Sequence, residues 1–105
     1  MPRVIITEQA TLGLENCRQF LAKKNYSAAN NVGWAIASQF IRLESDPIVG
    51  RTVENHTGLR ELVIPFGKTG YVALYRYDIK ADLIVILAFR YQKEIDYMAD
   101  DDRLS

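Results

Sequence analysis

Gly58-Leu59-Arg60-Glu61-Leu62, Tyr71-Val72-Ala73-Leu74-Tyr75-Arg76-Tyr77 and Leu83-Ile84-Val85-Ile86-Leu87-Ala88-Phe89-Arg90 decide the fold. These three runs are rich in β-branched and aromatic residues and follow one another at turn-length gaps, which predicts consecutive strands of one sheet. Gly67-Lys68-Thr69-Gly70 and Asp78-Ile79-Lys80-Ala81-Asp82 between them suit hairpin turns. Each run carries an arginine that its apolar pattern does not require. A small sheet set with arginines points to work on something anionic or large.

Upstream of these runs, Val4-Ile5-Ile6 reads as a short strand, and Thr7 as the N-cap of a helix with Glu8 in its first turn. Ala10, Leu14, Cys17 and Leu21 form one apolar face, predicting a helix to about Lys24. A second helix, capped by Ser27, carries Val32, Ile36, Phe40 and Leu43 as its stripe. It ends at Asp46-Pro47, because proline disfavours helical backbone in the residue before it. Ile48 to Thr57 has no periodicity and reads as a loop. The order β-α-α-β-β-β predicts an α+β fold, a helix hairpin on one face of a small, mainly antiparallel sheet. Ile36, Phe40, Leu74 and Ile86 are the expected core.

The third run is apolar on both sides. Simple alternation sends Ile84, Ile86 and Ala88 one way and Leu83, Val85, Leu87 and Phe89 the other. One helix hairpin covers only one face of so small a sheet. The second face needs cover from the chain's end or from a partner, and such a patch marks an interaction site.

Composition bounds the alternatives. At 105 residues, 49% apolar and 25% charged, the chain has the balance of one globular domain spanning 1–105. Its single cysteine, Cys17, permits no internal disulfide. The start of the chain lacks the apolar stretch of a signal peptide, and no run is long enough to span a bilayer, so no membrane association and a cytoplasmic location are expected. The net charge is zero but unevenly spread: +1 over residues 1–50, +3 over 51–93 and −4 over the acidic tail 94–105. That argues against indiscriminate nucleic-acid binding and leaves room for a local basic patch.

Candidate chemistry is sparse. Arg60, Arg76 and Arg90 either pair with Glu54, Glu61, Asp78 or the tail, or grip phosphate or carboxylate through their guanidinium forks. Arg76 shares parity with Val72 and Leu74, so its head must find a partner beyond that apolar face. His56 lies in a polar loop with no fixed partner and reads as a surface residue. Cys17 reads as a small buried hydrophobe. Trp34 lies off the stripe of the second helix. Metal-ligand spacing is absent and the glycines do not fit a nucleotide loop, so no cofactor is expected.

Asp46-Pro47, Gly50-Arg51, Gly58-Leu59-Arg60-Glu61-Leu62, Tyr75-Arg76-Tyr77 and Ile86-Leu87-Ala88-Phe89-Arg90-Tyr91, in this order, resemble the RelE/ParE toxin superfamily of type II toxin–antitoxin systems over nearly the whole chain. The resemblance implies a toxin neutralised by a cognate antitoxin, with plasmid stabilisation and growth arrest as its outcomes. Its partner-binding residues would be Arg51, Arg60, Arg76, Arg90 and Tyr91, and a homodimer or a hetero-oligomer with the antitoxin is open to it. RelE-type members cut messenger RNA on the ribosome and usually carry an arginine after the Gly-Tyr of the middle strand. Here Gly70-Tyr71 is followed by Val72, as in ParE-type members, which inhibit DNA gyrase and are not enzymes. The alternative is a ribosome-dependent endoribonuclease using Arg60, Arg76, Arg90, Tyr91 and Lys93. A third reading is an inactive relative serving only as an antitoxin-binding co-repressor. Many relatives have histidine where Tyr91 stands.

Overall fold

The computed structural model describes residues 2–66 and 69–92. The elements are β1 (Arg3–Ile6), α1 (Glu8–Lys24), α2 (Tyr26–Ser45), β2 (Arg51–Thr52), β3 (Leu59–Phe66), β4 (Thr69–Asp78) and β5 (Leu83–Tyr91). They make a five-stranded sheet in the order β1-β5-β4-β3-β2, with β1 parallel to β5 and every other pair antiparallel. This is the α+β architecture that the sequence predicts. Lys93 and the acidic tail 94–105 lie outside the described residues.

Thr7 joins the first strand to the first helix. Its Oγ1 accepts from the Ala10 N–H at 3.2 Å, capping α1, and donates to the Ile86 carbonyl at 2.9 Å. Asn25 serves both helices. Its N–H closes α1 onto the Leu21 carbonyl, and its Oδ1 accepts from the Ala28 N–H at 3.1 Å. The expected cap at Ser27 is thus replaced by Asn25, two residues earlier. One asparagine satisfies orphan groups on both sides of the break, which makes the hairpin link so short. Asp46 closes α2 onto the Arg42 carbonyl, directly before Pro47.

Both predicted helix stripes face the sheet. Ala10, Val32, Phe40 and Leu43 are buried against Leu62, Ile64, Tyr71, Ala73, Tyr75, Ile84, Ile86 and Phe89, and Leu14, Cys17, Leu21 and Ile36 pack on this cluster. α1 comes very close to β5: a Cβ at Gly13 would collide with the Phe89 carbonyl oxygen. Only glycine permits that approach.

Two expectations about faces are corrected. Ladder pairing runs Leu74↔Ala88 and then Tyr75↔Ile86, so Leu87 is an extra residue on β5. Such a bulge reverses the alternation beyond it. Phe89 therefore joins Ile84 and Ile86 under the helices, and Ala88 turns to the opposite face. Leu74 also leaves the expected core. It shares the opposite face with Glu61 and Ala88, and Ala73 and Tyr75 take the helix side. The stretch read as a loop from Ile48 to Thr57 holds a two-residue strand, β2, whose brevity leaves no periodicity to read. It pairs with Arg60 and Glu61.

Tyr75 is fully buried. Its hydroxyl donates to the Pro47 carbonyl and accepts from the Gly50 N–H, both at 2.9 Å. The loop passes so close that a Cβ at Gly50 would lie 2.6 Å from Tyr75 Cε1. Tyr75→Phe removes both bonds and strands a buried donor. It should cost about 1–3 kcal/mol in urea unfolding, with faster amide exchange at Gly50.

Candidate functional site

The helices lie on one side of the sheet only. Among the described residues, no element covers the other side. Register fixes what that open face displays, because cross-strand partners point the same way. Leu59, Arg76 and Val85 form one row; Glu61, Leu74 and Ala88 the next; Val63, Val72 and Arg90 the third. Arg51 extends the second row opposite Glu61, and Arg3 and Ile5 add to the β1 side. The result is an apolar band flanked by arginines. At its centre Val72 is 7% exposed.

The charges on this face are unbalanced. Arg51 Nη2 stands 3.5 Å from Glu61 Oε2, an exposed pair of little energetic weight. Among the described residues, neither Arg76 nor Arg90 has an ion-pair partner, and both are exposed. Against Arg3, Arg51, Arg76 and Arg90 this face sets Glu61 within the band and Asp78 at its edge, in the row with Leu83 and Arg3, so it keeps a net positive charge and attracts anions. A shallow depression lined by Glu61, Val72, Leu74, Ala88 and Arg90 joins the apolar band to the Arg90 head. The surface suits a polypeptide that offers apolar and acidic side chains together.

Arg90 reaches this face only through the bulge at Leu87. Under strict alternation it would share the helix side with Ile84 and Ile86. Arg76 stands where its parity with Val72 and Leu74 predicts. The two arginines are brought to one surface by an irregularity that leaves no mark in the apolar pattern.

Arg60 and Tyr91 stand elsewhere. Arg60 pairs across the ladder with Tyr75 on the helix side. Its Nη1 donates to the Gly50 carbonyl at 2.7 Å and the Ile48 carbonyl at 3.2 Å. Together Arg60 and Tyr75 hold the segment 47–50 that leads into Arg51. This clasp is not among the expectations from the sequence. The available signal was the parity of Arg60 with Leu62 and Ile64, which puts a cation beside the core and demands local acceptors.

Tyr91 packs on the helix side too. Its ring centroid lies 5.5 Å from that of Tyr71 and 6.4 Å from that of Phe20. Tyr71 stacks on Phe89 at 5.3 Å. Asn16, Cys17, Phe20, Tyr71 and Tyr91 line a cleft of about 370 Å³ between α1 and the sheet. Burial pushes the Tyr71 hydroxyl up to about 12, with Cys17 and Tyr91 adding to the effect. Burial also raises Tyr75, outweighing the opposing Gly50 hydrogen bond and Arg60 charge.

These shifts have a sign in stability. The folded chain keeps both tyrosines protonated above their ordinary value of 10, where the unfolded chain ionises. The unfolded state then binds fewer protons, so stability falls as pH rises through the window from 10 to 12. Thermal unfolding followed by circular dichroism should show this fall, and Tyr71→Phe should flatten it.

The arginine set is therefore divided. Arg51, Arg76 and Arg90 share the open face; Arg60 and Tyr91 lie on the helix side, at opposite ends of the ladder. Lys93 is outside the described residues. His56 is exposed, as expected of a surface residue, and Cys17 is half-buried. No described helix is long and apolar enough to cross a membrane. Comparison with protein families matches residues 4–96 to the family described as "ParE toxin of type II toxin-antitoxin system, parDE". Comparison with curated proteins gives no match.

Proposed function

The chain belongs to the ParE toxin family of type II toxin–antitoxin systems, and on that footing we propose that it inhibits DNA gyrase and is silenced by an antitoxin segment laid on the open sheet face. The observation that carries the reading is the third row of that face, Val63–Val72–Arg90. An RNA-cleaving site on this sheet needs cations around the scissile phosphate, since charge developing there must be neutralised by groups already in place. Val72 puts an apolar side chain at the middle of the row. The separation of Arg60 and Tyr91 from Arg76 and Arg90 argues in the same direction, because residues on opposite faces of a sheet cannot surround one phosphate.

The same face fits the antitoxin. An extended or helical segment with acidic and apolar residues would bury Leu59, Val63, Leu74 and Ala88 while its carboxylates meet Arg51, Arg76 and Arg90. Neutralisation follows if gyrase needs those arginines.

Expression of the chain alone tests the target in cells. A gyrase inhibitor induces the DNA-damage response before protein synthesis falls. Translation arrest first, with codon-dependent message cuts that disappear in Arg60→Ala, would instead assign the endoribonuclease reading. If growth is unaffected, Tyr91→His shows whether the chain is attenuated: restored arrest would keep the toxin reading, and continued growth would favour the co-repressor reading.

A further inference from the structure

The outer face of α2 has no explanation in the fold. From Tyr26 to Ile41 this helix holds no Asp, Glu, Lys or Arg, whereas α1 carries Glu8, Glu15, Arg18, Lys23 and Lys24. Trp34 is 77% exposed and Ile41 63%, and their spacing of seven sets them on one line along the helix. Ser38, between them, turns its hydroxyl back onto the Trp34 carbonyl at 3.0 Å, so it asks little of the solvent. Exposed helix surface is ordinarily charged, and depletion of charge around a large aromatic residue is the composition of an interface centre.

Beside this ridge lies a hollow. Gly33 is exposed, and a Cβ added there would meet nothing within 4 Å. Packing within the chain therefore does not require glycine, although glycine in a helix interior costs roughly 1 kcal/mol against alanine. Gly33 opens an apolar groove of about 310 Å³ between the helices, lined by Leu14, Val32, Ile36, Ala37 and Phe40. Glu15 and Arg18 on the groove's α1 rim already pair with each other at 2.6 Å. The groove offers no unbalanced charge.

We infer that α2 packs against α2 of a second copy of this chain, about a two-fold axis near Ala37, with each Trp34 seated against the groove that Gly33 opens in the other copy. A two-fold contact must be self-complementary, and this face supplies both the projecting side chain and the hollow within neighbouring residues. Charge separates the occupants of the two sides of the molecule. The arginine face calls for an acidic partner; the neutral helix face calls for an equally neutral one, which α2 itself provides. The pairing leaves the open sheet face uncovered in both copies and does not depend on which target the protein has.

Sedimentation velocity on the full chain, across the micromolar range, tests the pairing together with Trp34 fluorescence. Trp34 is the chain's only tryptophan, so the emission reports this surface alone. The expected result is a monomer–dimer equilibrium whose dimer shows blue-shifted emission. Trp34→Ser should weaken it at least about tenfold, as loss of a central tryptophan does at interfaces. Gly33→Leu should do the same while raising helical stability, because its side chain enters open space in the monomer and fills the hollow in the dimer. A wild-type chain that remains monomeric, or a Gly33→Leu chain that associates like the wild type, would overturn the proposal. An emission shift that appears only when a co-expressed antitoxin is present would give this face to that partner and overturn it equally.

Discussion

Arg76→Glu should weaken the complex with the antitoxin by about 2–5 kcal/mol, whereas Lys80→Glu should change it by less than about 1 kcal/mol. Both residues are exposed cations, four positions apart on the β4–β5 hairpin. Their surroundings differ. Arg76 sits between Leu59 and Val85 on the open face, where a bound segment would exclude water from its ion pair. Lys80 lies in the turn beyond the strands, where water would still screen it. Reversal at Arg76 leaves the partner's carboxylate desolvated and facing a like charge, and that stranded charge supplies much of the loss. Arg90→Glu belongs with Arg76→Glu. Titration calorimetry of each purified variant with separately purified antitoxin measures all three, and equal effects at positions 76 and 80 would remove the sheet face from the interface.

Phe40→Ala should destabilise the fold by about 3–5 kcal/mol. Phe40 is buried between the sheet and the groove side of α2, in one stripe with Val32, Ile36 and Leu43. Loss of its ring removes apolar contact and leaves a cavity that neighbouring backbone cannot close. Domains of this size have roughly 5–15 kcal/mol of stability in total, so the variant should unfold at far lower urea or fail to accumulate. Phe20→Ala provides the contrast. Phe20 is half exposed and contacts Lys24 and Tyr91 at the rim of the α1 cleft, so its removal should matter much less.

The parts of the fold legible in the sequence were those that follow from periodicity. Ala10, Leu14, Cys17 and Leu21, and then Val32, Ile36, Phe40 and Leu43, identify two helix faces because a 3.6-residue repeat survives over several turns. Asp46-Pro47 and the turn residues set the ends by local chemistry. The features that escaped are those with no repeat. β2 is two residues long, and the loop before it is held by Arg60 and Tyr75. The pairing of β1 with β5 joins residues about 80 positions apart. The bulge at Leu87 shifts half of β5 by one residue, and Phe89, Ala88, Arg90 and Tyr91 all change sides.

The placement of the candidate residues was legible in part. Arg51 and Arg76 stand on the open face, and Arg90 reaches it through the bulge. Arg60 was read by its charge alone, yet its ladder partner is Tyr75, and its donors are used on the carbonyls of residues 48 and 50. A cation on a buried face is as ready to hold backbone as to bind a ligand.

The most direct measurement is gyrase activity with the purified chain, alone and with its antitoxin. Gyrase inhibition by the open face predicts that the chain alone blocks supercoiling or accumulates cleaved plasmid, that the antitoxin restores supercoiling, and that Arg76→Glu with Arg90→Glu abolishes the block while the protein stays folded. Unchanged supercoiling, together with cleavage of ribosome-bound message by the same preparation, would contradict it.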